Sequence, residues 1–185
     1  MDIRFQRAVD KYAGVPLCAL FTAWDWCIRK LGLRRKPAAE PKRILVILLS
    51  EMGSLVLAEP MFQRIKARYP SAELHVMLFA KNREVLDLLN VVPKQSVITL
   101  NDSNLKDFAS DMWEALQKMR TLRFDVVIDC ELFARVSSLI AYMSGAPVLV
   151  GFEPHTQEGL YRGGYLTNPV MYNPYRHLSY QLLTM

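Results

Sequence analysis

From residue 43 onward, short continuous apolar runs alternate with segments of helical period. Residues 44–49 (ILVILL) form an unbroken apolar run, the pattern of a strand buried on both faces of a parallel sheet. A turn over 50–54 leads into a helix running to about residue 68, and Pro60 should kink it or divide it in two. Further strands are predicted at 73–79, 96–100, 125–129 and 148–150. Helices are predicted at 82–89, 105–120 and 132–143, the last closed by Gly145 and Pro147. Residues 153–175 are rich in Gly, Pro, Asn and Tyr and show no period, and a last helix starts near Leu178. Strict alternation of strand and helix argues for an α/β domain, a Rossmann-like parallel sheet with helices on both faces.

Residues 1–36 differ from this body. They predict two short helices separated at Gly14, and 37–42 reads as a linker before a domain spanning 43–185. The second helix carries Leu17, Leu20, Phe21, Trp24, Ile28 and Leu31 at spacings of three and four, with Arg29, Lys30, Arg34, Arg35 and Lys36 at its end. This stripe can dock on the globular body or lie on a membrane surface. Trp24, Trp26 and Phe21 beside a basic cluster favour the surface. The apolar stretch 15–28 is too short to span a bilayer and lacks a cleavage site of signal-peptide type.

Charge sharpens the contrast. Residues 1–43 hold ten Lys/Arg against four Asp/Glu, whereas the rest of the chain holds thirteen against fourteen. A nucleic-acid-binding domain would carry its basic surface on the folded body, so the asymmetry points to anionic lipid and away from nucleic acid. Cys18, Cys27 and Cys130 have no metal or disulfide spacing, and the odd count suits a reducing compartment. Together these imply a cytoplasmic protein, peripheral on the inner face of the plasma membrane.

In an open α/β sheet, chemistry sits beyond the carboxyl ends of the strands. Two loops qualify. The first is Ser50-Glu-Met-Gly-Ser54, where Gly53 would let backbone approach a ligand, or simply make a tight turn. A single glycine makes neither a GxGxxG nor a Walker loop, so no nucleotide cofactor is expected. The second is Asp129-Cys-Glu131-Leu-Phe-Ala-Arg135, either a solvated loop or a site carboxylate held by Arg135. Arg162, between Gly159 and Gly163, suits a phosphate or carboxylate, or a surface turn. His75, His155 and His177 are far apart, so no metal site is expected.

The stretch RILVILLSEMGSLVLAEPMFQRIKARYPSAELHVM resembles the opening of glycosyltransferase family 9, the lipopolysaccharide heptosyltransferase family. It has that family's apolar strand, Ser-x-x-Gly turn, Pro-containing helix and Tyr-Pro-x-Ala-Glu. FDVVIDCELFARVSSLIAYMSGAPVLVGFE is similar to its fourth strand, helix and following Gly-Phe. FQRAVDKYAGVPLCALFT and GLYRGGYLTNPVMYNPYRHLS are similar to a subgroup of it.

The resemblance implies the acceptor-side, N-terminal half of a GT-B fold. The nucleotide-sugar donor would be bound mainly by a second domain absent from this chain, and the acceptor would be a lipid-linked glycan. It also implies inverting, metal-independent transfer, in which a base takes a proton from the acceptor hydroxyl. Family members carry an Asp directly after the turn glycine as that base, and Ser54 stands there in this sequence. Glu51, in the same loop, or Glu131 then takes the role, with Ser50, Gly53, Ser54, Arg135 and Arg162 as substrate-binding candidates. The alternative is a non-catalytic family member serving as partner or scaffold.

Overall fold

A computed structural model describes residues 3–49, 52–132, 134–152 and 161–185, with side chains from residue 8 onward. Six parallel strands form one sheet in the order β3-β2-β1-β4-β5-β6. They are β1 (Arg43–Ile47), β2 (Glu73–Phe79), β3 (Val97–Leu100), β4 (Val126–Asp129), β5 (Val148–Phe152) and β6 (Asn168–Val170). The order turns back at β1, so the loops after β1 and β4 emerge side by side at the carboxyl edge. The body is the Rossmann-like α/β domain read from the alternation.

Each apolar strand serves two cores because successive side chains point to opposite faces. Ile44, Val46 and Leu48 join Leu74, Val76 and Leu78 against Leu55, Phe62 and Leu86. These last belong to helices α3 (Met52–Leu57), α4 (Glu59–Arg68) and α5 (Arg83–Leu89), and α8 (Leu178–Leu182) closes the same face through Leu182. Leu45, Ile47 and Leu49 face the other way. There they pack with Met77, Val127 and Leu149 against α6 (Leu105–Leu122) and α7 (Arg135–Met143). Each large side chain so buried contributes roughly 1.5–3 kcal/mol.

Pro60 divides the predicted helix, as expected. It falls in the first turn of α4, where its missing N–H has no partner to lose. The first of the two helices begins earlier than the predicted turn allows. Gly53 and Ser54 already lie inside α3, and a Cβ at Gly53 would meet open space. Strand β6 was not visible in the pattern: it is three residues long and contains Pro169, tolerable because the strand is at the sheet edge.

The N-terminal segment forms α1 (Ile3–Tyr12) and α2 (Gly14–Lys30), and both pack on α7. The docked face of α2 is not the predicted stripe. Gly14, Cys18 and Asp25 are buried, and together with Thr22 and Arg29 they form a small and polar arc. Gly14 is needed because a Cβ there would come 2.9 Å from the Arg135 side chain. The Thr22 hydroxyl accepts from Gly164 N–H and bonds the Tyr161 hydroxyl, each at 2.9 Å. Arg29 donates to the Tyr165 carbonyl at 3.1 Å, and Asp25 pairs with Arg29 at 2.5 Å and Arg34 at 2.9 Å. Tyr165 is fully buried and hydrogen-bonds Ser138 at 2.9 Å; its hydroxyl and the Cys18 thiol both have pKa values raised by burial. Of the stripe, only Phe21 and Ile28 are half-buried, Phe21 against Tyr142; Leu17, Leu20, Trp24 and Leu31 remain exposed.

Candidate active site

Two loops meet at the carboxyl edge because β1 and β4 are neighbours in register, Ile47 opposite Asp129. The first of them continues past Leu49 into Ser50 and Glu51, which lie outside the described residues. Its stem is held from both sides. Leu49 N–H donates to the Glu131 carboxylate at 2.6 Å, and the Leu49 carbonyl accepts from the Asn82 amide at 2.9 Å. Both partners are buried. Glu131 thus grips the peptide directly before Ser50 and Glu51, and its carboxylate is turned toward the β1 loop.

The β4 loop is built around an ion pair. Arg162 Nη2 donates to Asp129 Oδ2 at 2.5 Å and to Ser137 Oγ at 2.9 Å. Its other donors reach the carbonyls of Glu131 and Ala134. Asp129 also accepts from Glu131 N–H at 3.1 Å and from Ser137 Oγ at 3.2 Å. Burial pushes the Asp129 carboxyl up to about 6, against the downward pull of Arg162 and of these hydrogen bonds. The Arg162 side chain is 4% exposed, so the arginine read as suiting a phosphate or carboxylate, or a surface turn, is buried and cross-links 129–137 to 161–165 through the Asp129 carboxylate.

Arg135 is similarly engaged. It pairs with Asp10 of α1 at 2.9 Å and donates to the Tyr161 carbonyl at 2.9 Å. Asp10 Oδ1 accepts from the backbone N–H groups of Arg135 and Val136 as well, at 2.8 and 3.2 Å. The positive start of α7, otherwise an anion-binding end, therefore holds a carboxylate from the N-terminal helices. The carboxylate Arg135 holds is that of Asp10, not one from its own loop.

Of the predicted site residues, the structure brings Glu131 and Arg162 to one rim with the stem of the β1 loop. Gly53 and Ser54 lie nearby in α3, and Arg135 turns toward α1. Asp10, Asn82 and Ser137 were not anticipated. Asn82 heads a predicted helix, yet its amide reaches back to Leu49. Asp10 meets α7 across 125 residues of chain, which no local pattern announces. Among the described residues no group of His, Cys, Asp and Glu could hold a metal ion, and no helix is long and apolar enough to cross a membrane. A hollow of about 590 Å³, lined by Arg35, Arg120, Arg123, Ser144 and Gly145, lies at the opposite, amino edge of the sheet.

No family model and no curated protein matches the chain. Solved structures do. A glycosyl transferase family 9 protein from Veillonella parvula shares the fold with a TM-score of 0.65 at 16% identity, over 81% of this chain and 42% of that one. The E. coli heptosyltransferase WaaC with ADP-2-deoxy-2-fluoro heptose matches with a TM-score of 0.63 at 13% identity, over 76% of this chain and 46% of that one. A putative UDP-N-acetylglucosamine 2-epimerase from Listeria monocytogenes matches with a TM-score of 0.50 at 13% identity, over 79% of this chain and 42% of that one. The chain spans less than half the length of each of these proteins. At these identities the likeness carries the fold alone, a glycosyltransferase-like Rossmann sheet.

Proposed function

We propose that this chain is the acceptor-side domain of a glycosyltransferase that moves a sugar, heptose or similar, from a nucleotide-sugar donor to a lipid-linked glycan of lipopolysaccharide type. The observation that carries the reading is the Glu131–Leu49 contact, which ties the loops after β1 and β4 at the carboxyl edge. That edge is where an open α/β sheet receives its ligand. Glu51 is the base in this reading, because it follows the gripped peptide by two residues and a carboxylate can accept the proton of an attacking hydroxyl. Glu131 orients that loop and is the second acidic candidate. Ser50, Gly53 and Ser54 contact the acceptor, while Arg135 and Arg162 act through the loops they cross-link. Transfer is inverting and needs no metal, and the donor is held mainly by a second domain. The protein works at the inner face of the plasma membrane.

A second reading, a non-catalytic family member acting as a partner or scaffold, is favoured by Ser54. It stands where the resembled family carries its acid, and a serine hydroxyl is far too weak a base to replace it. Release of nucleoside diphosphate from a nucleotide sugar, measured with a donor-side domain joined to this one, separates the two. Turnover that Glu51→Gln lowers by about a hundredfold or more supports catalysis at Glu51. Turnover unchanged by Glu51→Gln removes Glu51 from the role, and no turnover in the unmutated protein favours the scaffold.

A further inference from the structure

Helix α2 is docked with its apolar side outward. Its buried arc is Gly14, Cys18, Thr22, Asp25 and Arg29, whereas Leu17, Leu20, Trp24 and Leu31 are 41%, 61%, 60% and 70% exposed. Their spacing of three, four and seven residues puts them on one side of the helix. Among the described residues, half of the large apolar side chains that stand exposed lie between residues 9 and 33. A contiguous apolar face of this kind on a folded protein marks a surface that something else covers.

The charges beside it identify what. Between residues 8 and 36 the acids are Asp10 and Asp25, and both are turned inward into ion pairs with Arg135, Arg29 and Arg34. Lys11, Lys30 and Lys36 are exposed, and Lys30 lies over the Trp26 ring at 4.0 Å. Among the described residues, the outer side of the segment is thus apolar with a cationic border and shows no carboxylate of its own. A second copy of the same surface would set like charges against each other. An anionic lipid headgroup layer over an acyl interior complements both features.

We propose that α2 lies in the plane of an anionic bilayer with Leu17, Leu20, Trp24 and Leu31 at the headgroup–acyl boundary. The Asp10–Arg135, Thr22–Tyr161 and Arg29–Tyr165 contacts hold the body against it. This deepens the membrane part of the functional reading, but its test uses lipid alone and stands whether or not the chain takes part in sugar transfer.

The probe is flotation with phosphatidylcholine vesicles, with and without phosphatidylglycerol, alongside Trp24 fluorescence quenched by brominated acyl chains. The expected result is flotation with the anionic vesicles, weakened by salt, each exposed Lys or Arg near the surface strengthening it about fivefold. Leu17→Asp/Leu20→Asp, on the outward side and so compatible with folding, should weaken it by about a hundredfold or more. Leu88→Asp, 85% exposed on α5, should leave it unchanged. Equal flotation of wild type and Leu17→Asp/Leu20→Asp overturns the proposal, as does absence of flotation. A dimer in solution that the same double substitution dissolves overturns it in favour of a second copy.

Discussion

Glu131 and Leu49 are joined by a hydrogen bond of 2.6 Å between a buried carboxylate and a backbone N–H 82 positions earlier. The bond makes the loop after β1 depend on the loop after β4. Glu131→Ala leaves the Leu49 N–H without its acceptor and should cost about 1–3 kcal/mol in urea unfolding. Glu131→Gln keeps an acceptor oxygen and should retain most of that stability. Equal losses for the two variants would mean that the contact does not hold the loop.

The Arg162–Asp129 pair is buried on both sides, so removing one partner strands a charge. Arg162→Ala should lower unfolding free energy by about 3–5 kcal/mol. It should also raise amide exchange at residues 131–137, whose carbonyls and hydroxyl Arg162 gathers. A loss within the range of an exposed ion pair would contradict this account.

Gly163 has φ +92°, and a Cβ there would fall 2.2 Å from the Tyr165 ring. Gly163→Ala therefore combines backbone strain with a clash in the segment that anchors α2. A loss of about 2 kcal/mol or more is expected in thermal or urea unfolding. Gly53→Ala, which meets open space within a helix, should be neutral or slightly stabilising.

His75 is buried against Phe124, and neither ring nitrogen has a hydrogen-bond partner among the described residues. Burial lowers its pKa from 6.5, with Lys118 and Arg43 adding to the fall and Glu73 opposing it. The unfolded chain then takes up the proton first. Stability from the neutral ring is fully present above about pH 6.5 and is lost as pH falls through the folded value. Asp129 acts with opposite sign, because its raised pKa gives stability that is lost as pH rises toward about 6. The two are separated by difference. His75→Phe, measured against wild type between pH 7 and pH 5, should lose less stability on acidification, by up to about 1.4 kcal/mol per pH unit. Parallel curves would show that His75 carries no pH dependence.

Most of the body was legible because its chemistry is local. The run ILVILL can only be buried on both sides, and Pro60 forces a break in its helix. The limits were physical as well. Strand β6 is held by the Val150–Asn168 register and not by a periodic pattern of its own. The helix start near Leu132 shifts to Arg135, where Asp10 accepts from the free N–H groups of Arg135 and Val136, while Arg162 takes the carbonyl of Glu131. Amphipathicity located the apolar side of α2 but not its direction. Gly14, Cys18 and Thr22 permit a closer approach to α7 than the bulkier stripe, and their partners lie more than a hundred residues away. At the site, the acids were legible as candidates, while the grip of Glu131 and Asn82 on Leu49 arises only from strand neighbours.

In the proposed function the carboxyl edge between β1 and β4 receives a lipid-linked glycan. Backbone amide shifts recorded while such an acceptor is titrated into the chain test it most directly. Saturable shifts are expected at Leu49, Met52, Gly53, Ser54 and Glu131. Saturable shifts confined to Arg35, Arg120, Arg123 and Gly145, at the opposite edge of the sheet, would contradict it.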